Sequence, residues 1–139
     1  MINRELINPQ SIVIVGGSNN VQKPGGRLVR NLLDGKYKGD LYVVNAKETE
    51  VQGVKSYANV AEIPDTELAI ISIPGKACPE VVEVLAKHKN VRAFIIISAG
   101  FGEETVEGGI IENQLLEIIN EAGASFIGPN CIGVMNTNY

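Results

Sequence analysis

The 139 residues are 45% hydrophobic and 20% charged, and 12 Lys and Arg stand against 16 Asp and Glu for a net charge of -4. That size and composition suit one compact domain over residues 1–139 with its own core, and the acidic balance gives no electrostatic grip on a nucleic-acid backbone. The longest apolar run, residues 93–97, falls far short of the ~20 residues that span a bilayer, and residues 1–5 lack a signal-peptide core, so the chain reads as cytoplasmic with no membrane partner.

In chain order, five apolar runs predict strands at residues 11–15, 41–45, 68–73, 92–98 and 125–127. They are continuous rather than alternating, as expected of parallel strands covered on both faces. Three segments between them carry helical spacing: Leu28, Val29, Leu32 and Leu33; then Val81, Val82, Val84 and Leu85; then Ile111, Leu115, Ile118, Ile119 and Ala122. Gly35 and Gly123 follow the first and third where a left-handed cap is wanted, and Pro79 suits the first turn of the second. Residues 50–64 read as irregular, with a short apolar segment at residues 54–57 and a weak helical turn near residues 59–62, and residues 100–109 as a Gly- and Glu-rich loop. Strand and helix alternate, which predicts an α/β, Rossmann-like, doubly wound fold: a mainly parallel five-stranded sheet with helices on both faces.

Cys78 and Cys131 are too far apart and too few for a disulfide framework, and with the single His88 they have no metal-ligand spacing. No metal site and no Ser-His-Asp set follows. His88 ends the second helical segment, a place for partial packing or for complementing the helix dipole rather than for base catalysis. Cys78 precedes Pro79 at a helix start that would favour its thiolate, and Cys131 has no base nearby in sequence; both read as inert. No catalytic residue is assigned.

In open parallel sheets ligands bind beyond the carboxyl ends of the strands. The residues that follow the five runs are Gly16-Gly17-Ser18-Asn19-Asn20, Asn45-Ala46-Lys47, Pro74-Gly75-Lys76, Ser98-Ala99-Gly100-Phe101-Gly102 and Gly128-Pro129-Asn130-Cys131. Small and polar residues line one edge, where backbone N–H groups can face phosphate. The first turn is not a G-x-G-x-x-G fingerprint, and alone it is a weak signal that a tight turn with no ligand also fits. NAD enzymes usually carry an acid at the end of the second strand to hold the ribose hydroxyls, whereas this chain has Lys47 there. A cation at that point favours a ligand with an extra ribose phosphate, such as NADP or the 3′-phospho-ADP of coenzyme A, unless Lys47 is simply a solvated surface residue.

These residues resemble a known family. Pro9-Gln10-Ser11-Ile12 leading into Val13-Ile14-Val15-Gly16-Gly17-Ser18, then Gly25-Gly26-Arg27 with Asn31-Leu32, Tyr42-Val43-Val44-Asn45, Ile63-Pro64-Asp65, Ser98-Ala99-Gly100-Phe101 and Gly128-Pro129-Asn130-Cys131-Ile132-Gly133 are similar to the N-terminal CoA-binding domain of NDP-forming acyl-CoA synthetases, relatives of the succinyl-CoA synthetase α subunit. The last two motifs are the specific ones.

The resemblance implies that Gly17, Ser18, Asn19 and Asn20 hold the nucleotide phosphates of CoA and that Lys47 meets the same ligand. It implies that Ile73 and Pro74 flank the adenine or pantetheine path and that Ile97, Ser98 and Ala99 lie near the thiol arm. Ala99 replaces the acid found in the succinyl-CoA relatives, which points to the ADP-forming branch. In such enzymes a phosphohistidine on a following domain carries the phosphoryl group. The chain stops where family members continue, so the phosphohistidine and ATP-grasp domains are expected in cis or as a subunit, and this chain alone is expected to bind CoA or acyl-CoA without turnover. Two rival readings remain: a sensor that binds NAD(H) or CoA, which lacks a basic helix-turn-helix here, and a small dehydrogenase, which lacks the ribose-binding acid and a proton donor.

Overall fold

The computed structural model describes residues 9–97 and 106–127. Within them the chain runs β1 (Ser11–Val15), α1 (Pro24–Asp34), β2 (Asp40–Val44), β3 (Glu50–Val51), β4 (Val54–Tyr57), β5 (Leu68–Ile71), α2 (Cys78–His88), β6 (Ala93–Ile96), α3 (Val106–Ala122) and β7 (Ser125–Ile127). Short 3-10 turns at Val60–Glu62 and Gly75–Ala77 precede β5 and α2. The strands form one sheet in the order β3-β4-β2-β1-β5-β6-β7. Every neighbouring pair is parallel except β3 with β4.

The doubly wound α/β architecture predicted from the sequence is therefore present, with seven strands rather than five. Both additional strands come from residues 50–64, which the sequence marks as irregular. Two- and four-residue strands are too short for hydrophobic periodicity to register. The weak helical turn is the 3-10 turn Val60–Glu62, capped by Asn59, whose Oδ1 accepts the Ala61 N–H at 2.7 Å. At the other end of the chain α3 begins at Val106, so Gly108 and Gly109 are helical rather than part of a loop; residues 98–105 lie outside the described residues.

Period-two alternation assigns the central strands to two core layers. Val13 and Val15, Ala69 and Ile71, and Phe94 and Ile96 face α2 and α3, meeting Val82, Leu85, Leu115 and Ile119. Ile12 and Ile14, Leu68 and Ile70, and Ala93 and Ile95 face the opposite layer, where α1 supplies Val29 with Leu28 and Leu32. Helices thus cover both faces. Leu33, predicted on the apolar stripe of α1, is instead 36% exposed, because the side of the helix that meets the core is the one carrying Val29, Leu28 and Leu32. Burying one such aliphatic side chain contributes about 1.5–3 kcal/mol, whereas exposed pairs like Arg30–Asp34 and Lys87–Glu83 contribute about 0.3–0.5 kcal/mol each, so the core holds this fold.

The helix ends show where local rules are met and where they slip by one residue. Gly123 takes φ +67 as predicted, with Gly123 N–H donating to Asn120 and Ala124 N–H to Ile119 in a Schellman arrangement. After α1 the left-handed position is not Gly35, which stays right-handed at φ -77, but Lys36 at φ +55. Lys36 N–H bonds to Leu33, Tyr37 N–H bonds to Leu32, and Tyr37 packs in the same layer as Leu32. These two hydrogen bonds set the register of the cap. Lys36→Gly is expected to stabilise the chain by about 1 kcal/mol, because glycine removes the left-handed penalty. A urea midpoint that fails to rise at unchanged slope refutes the expectation.

Candidate functional site

Strand order reverses at β1: β2 and β4 lie to one side of it and β5 and β6 to the other. A crevice at that point, beyond the carboxyl ends of the strands, is where ligands bind in such sheets. The cleft there has a volume of about 760 Å³, inside the roughly 300–1,000 Å³ typical of small-molecule sites. Val15 and Gly16 come from the end of β1, Val44 to Lys47 from the end of β2 and the turn after it, Ala58 to Ala61 from the segment after β4, Ile73 from the turn after β5, Ala77 from the turn before α2, and Glu80 and Val81 from the start of α2. Valines, alanines and Ile73 make an apolar slot. Lys23 and Lys47 stand exposed at its rim, and the carboxylate in the described lining is Glu80.

Gly16 is the pivot between strand and cleft. Its N–H continues the ladder to the Val44 carbonyl at 2.9 Å, its φ is +93, and a Cβ here would collide with the Ser72 carbonyl oxygen. Past Gly16 the loop crosses to α1, whose N-cap residue Lys23 is extended and makes no side-chain cap. The first turn of α1 also holds no acid, so this helix end keeps its positive character on the side of the cleft where Lys23 stands. The N–H groups of Gly17, Ser18 and Asn19 donate to no acceptor among the described residues.

Asn45 ties this loop to β2. Its Nδ2 donates to the Gly17 carbonyl at 2.9 Å, while its Oδ1 accepts from Lys47 N–H at 2.8 Å and Glu48 N–H at 3.0 Å. The side chain therefore ends the strand one residue earlier than the sequence predicts and turns the chain so that Lys47 reaches the rim. Strand β5 likewise ends at Ile71 rather than residue 73, because Ile73 turns into the cleft and Pro74 has no N–H to pair. Strand β6 is shorter than residues 92–98: Arg92 precedes it and donates from Nη1 to Ala86 and Val91 carbonyls at 3.1 and 2.9 Å, closing the end of α2.

Of the residues proposed from sequence, Lys47 and Ile73 line the cleft. Gly17, Ser18, Asn19 and Asn20 form the adjoining loop, but the side chains of Ser18 and Asn20 serve the loop itself. Ser18 Oγ accepts from Asn20 N–H at 2.9 Å and Asn20 Oδ1 accepts from Gln22 N–H at 2.9 Å. Asn19 is turned away toward the β3–β4 hairpin, donating to the Glu50 carbonyl at 3.1 Å and accepting from Gln52 N–H at 2.7 Å. What this segment can offer a ligand is backbone N–H. Pro74 is exposed beside the cleft and uses its carbonyl to accept from Ala77 N–H at 3.0 Å, and Ile97 packs into the layer of α1. Ser98, Ala99 and the motif at residues 128–133 with Cys131 lie outside the described residues.

Sequence reasoning missed Lys23, although a cation immediately before a proline at a predicted helix start, on the edge where phosphate is expected, is a legible signal. It also missed Asn45 as an anchor, and Asn59 and Glu80 as polar lining. His88 is exposed at the last residue of α2 beside Lys87, complementing the helix dipole but not partly buried. Cys78 is wholly buried, its thiol 3.7 Å from the Pro74 carbonyl. Among the described residues no group of three His, Cys, Asp or Glu side chains is placed to hold a metal ion, and no helix is long and apolar enough to cross a membrane.

Comparison with known proteins agrees with this geometry. Residues 10–137 match the family described as CoA binding domain. The chain is 44% identical over 133 residues to the alpha subunit of an ADP-forming acetate–CoA ligase II from Pyrococcus furiosus, covering 94% of this chain and 28% of that subunit. It is 38% identical over 135 residues to an ADP-forming acetate–CoA ligase II from Archaeoglobus fulgidus, covering 96% of this chain and 20% of that protein. Among solved structures, the acetyl-coenzyme A synthetase 1 of Ca. Korarchaeum cryptofilum superposes with a TM-score of 0.81 at 30% identity, over 91% of this chain and 27% of that one. The chain thus spans under a third of the length of these relatives. On the match across nearly its whole length, joined to the doubly wound sheet and its cleft, this chain belongs to the CoA binding domain family.

Proposed function

We propose that the chain binds CoA through its phospho-ADP part in the cleft beyond β1, β2 and β5, as the CoA-binding part of an ADP-forming acyl-CoA synthetase. The observation that carries this reading is the rim chemistry: Asn45, Ala46 and Lys47 follow β2 where a ribose-binding acid would select NAD, and Lys23 lines the same cleft. Two cations with unpaired loop amides suit a ligand rich in phosphate, and the apolar slot suits a flat base. Glu80 sits in the first turn of α2, on the part of the lining contributed by that helix, where it is suited to an uncharged portion of the ligand. Phosphoryl transfer is assigned to phosphohistidine and ATP-grasp domains carried elsewhere in the synthetase, in a cytoplasmic enzyme, with Ser98 and Ala99 near the CoA thiol arm.

Calorimetric titration of the chain with CoA, with NAD and NADP as comparison ligands in the same buffer, tests the reading. Saturable binding of CoA with no competition by either dinucleotide is the expected result; preferential binding of NAD(H) overturns it in favour of a redox sensor. Lys47→Ala is expected to weaken CoA more than dephospho-CoA, by roughly 1–3 kcal/mol if the ion pair is partly desolvated. Equal losses for the two ligands remove Lys47 from the 3′-phosphate.

A further inference from the structure

We infer that Gln52 is a positioning residue for the phosphate-binding loop, an inference that rests on the CoA-binding reading and names a residue outside the cleft on which that binding depends. Gln52 occupies the first place of the two-residue turn between β3 and β4, with φ +51, followed by Gly53 at φ +88. Left-handed backbone at both places is the geometry that tight hairpins favour, and Asn, Asp or Gly is its usual first residue. Glutamine is not what the turn asks for. The side chain explains its presence, because Nε2 donates to the Ser18 carbonyl at 2.8 Å and to the Gly26 carbonyl at 2.9 Å. Beside it the backbone N–H of Gln52 donates to Asn19 Oδ1, and Asn19 Nδ2 donates to the Glu50 carbonyl.

The hairpin therefore grips the loop at its start, through Ser18 and Asn19, and at its end, through Gly26 in the first turn of α1. Gln52 does this against two local penalties: a left-handed backbone that its side chain does not favour, and a buried Oε1 with no hydrogen-bond partner. A residue kept only for hairpin stability would carry neither. In a trans peptide the C=O and the following N–H point opposite ways. Holding the Ser18 carbonyl toward Gln52 thus turns the Asn19 N–H away from the hairpin, and the Asn19 N–H is among the loop amides left without an acceptor. Gln52 sets the direction of that donor before ligand arrives.

The test uses the whole 139-residue chain, with CoA and dephospho-CoA titrated against Gln52→Gly, Gln52→Asn and Gln52→Glu. Gly and Asn both suit the left-handed turn, and neither reaches the two carbonyls; Glu keeps the length but replaces the donor with an acceptor. Each variant is expected to bind CoA and dephospho-CoA more weakly by the same factor, roughly tenfold to a hundredfold, as misaligned donors do. Gln52→Gly or Gln52→Asn is expected to melt close to the parent, with faster hydrogen exchange at the Asn19 amide and unchanged exchange in β1 and β5. A purely structural role would move CoA affinity only in step with the melting temperature. Parent-like CoA affinity in the variants overturns the inference while leaving the CoA reading intact, as does a loss confined to CoA over dephospho-CoA. A parent chain that binds no CoA overturns the proposed function, and this inference with it.

Discussion

Gly16→Ala is expected to destabilise the chain by about 3–5 kcal/mol and to lower its melting temperature by on the order of 10 °C or more. Two independent penalties combine. At φ +93 any Cβ is strained, and the Cβ would also press into the Ser72 carbonyl. Neither side can retreat: Ser72 N–H is tied to Val15 at 2.8 Å and Gly16 N–H to Val44 at 2.9 Å, so the strands β1, β2 and β5 hold the collision in place. With typical domains stable by only about 5–15 kcal/mol, such a loss removes much of the margin. Thermal melts of parent and variant decide it, and a midpoint within about 2 °C of the parent, below 1 kcal/mol for this size, refutes the argument.

Asn45→Asp is expected to cost CoA affinity about 30- to 100-fold, roughly 2–3 kcal/mol, while the chain still folds. The carboxylate keeps the acceptor that holds Lys47 and Glu48 N–H, so the turn after β2 survives. It loses the donor to the Gly17 carbonyl and sets an oxygen against an oxygen at that bond. It also places a negative charge in the lining of a cleft read as a phosphate site. Loop geometry and electrostatics therefore change in the same unfavourable direction. Titration of CoA against the variant, with circular dichroism to verify the fold, gives the answer; affinity within threefold of the parent removes Asn45 from the phosphate loop.

The fold was legible in the sequence wherever apolar residues run on, or recur at helical spacing, over several positions. Runs such as residues 11–15 and 125–127 coincide with β1 and β7 because every residue there pairs in the sheet. The sequence did not reveal β3 and β4, whose pairing depends on a turn with two left-handed residues, only one of which is a glycine. The cap after α1 slipped for a similar reason: Gly35 is the residue propensity selects, but the bonds from Lys36 and Tyr37 N–H to the Leu33 and Leu32 carbonyls set the left-handed position at Lys36. For the site, Lys47 was readable from its place in the turn after the second strand, whereas Ile73 came from the family resemblance; both line the cleft. Asn19 was not, since its direction is settled by Glu50 and Gln52.

The α/β class, the glycine-lined edge beyond the strands, the cation in place of a ribose-binding acid and the resemblance to CoA-binding domains are all readable from the residues alone. Those properties are written locally, in runs of a few residues whose burial or backbone freedom does not depend on distant partners. Packing of distant segments is what brings Lys23 to the cleft with Lys47, makes Asn45 the anchor of the loop, and lets a hairpin hold Ser18 and Gly26 through Gln52. The bonds that orient this non-repetitive loop join residues 26 to 34 positions apart. No spacing rule spans such a separation, because the pairing is created by the sheet order that brings β4 beside β2 and β2 beside β1.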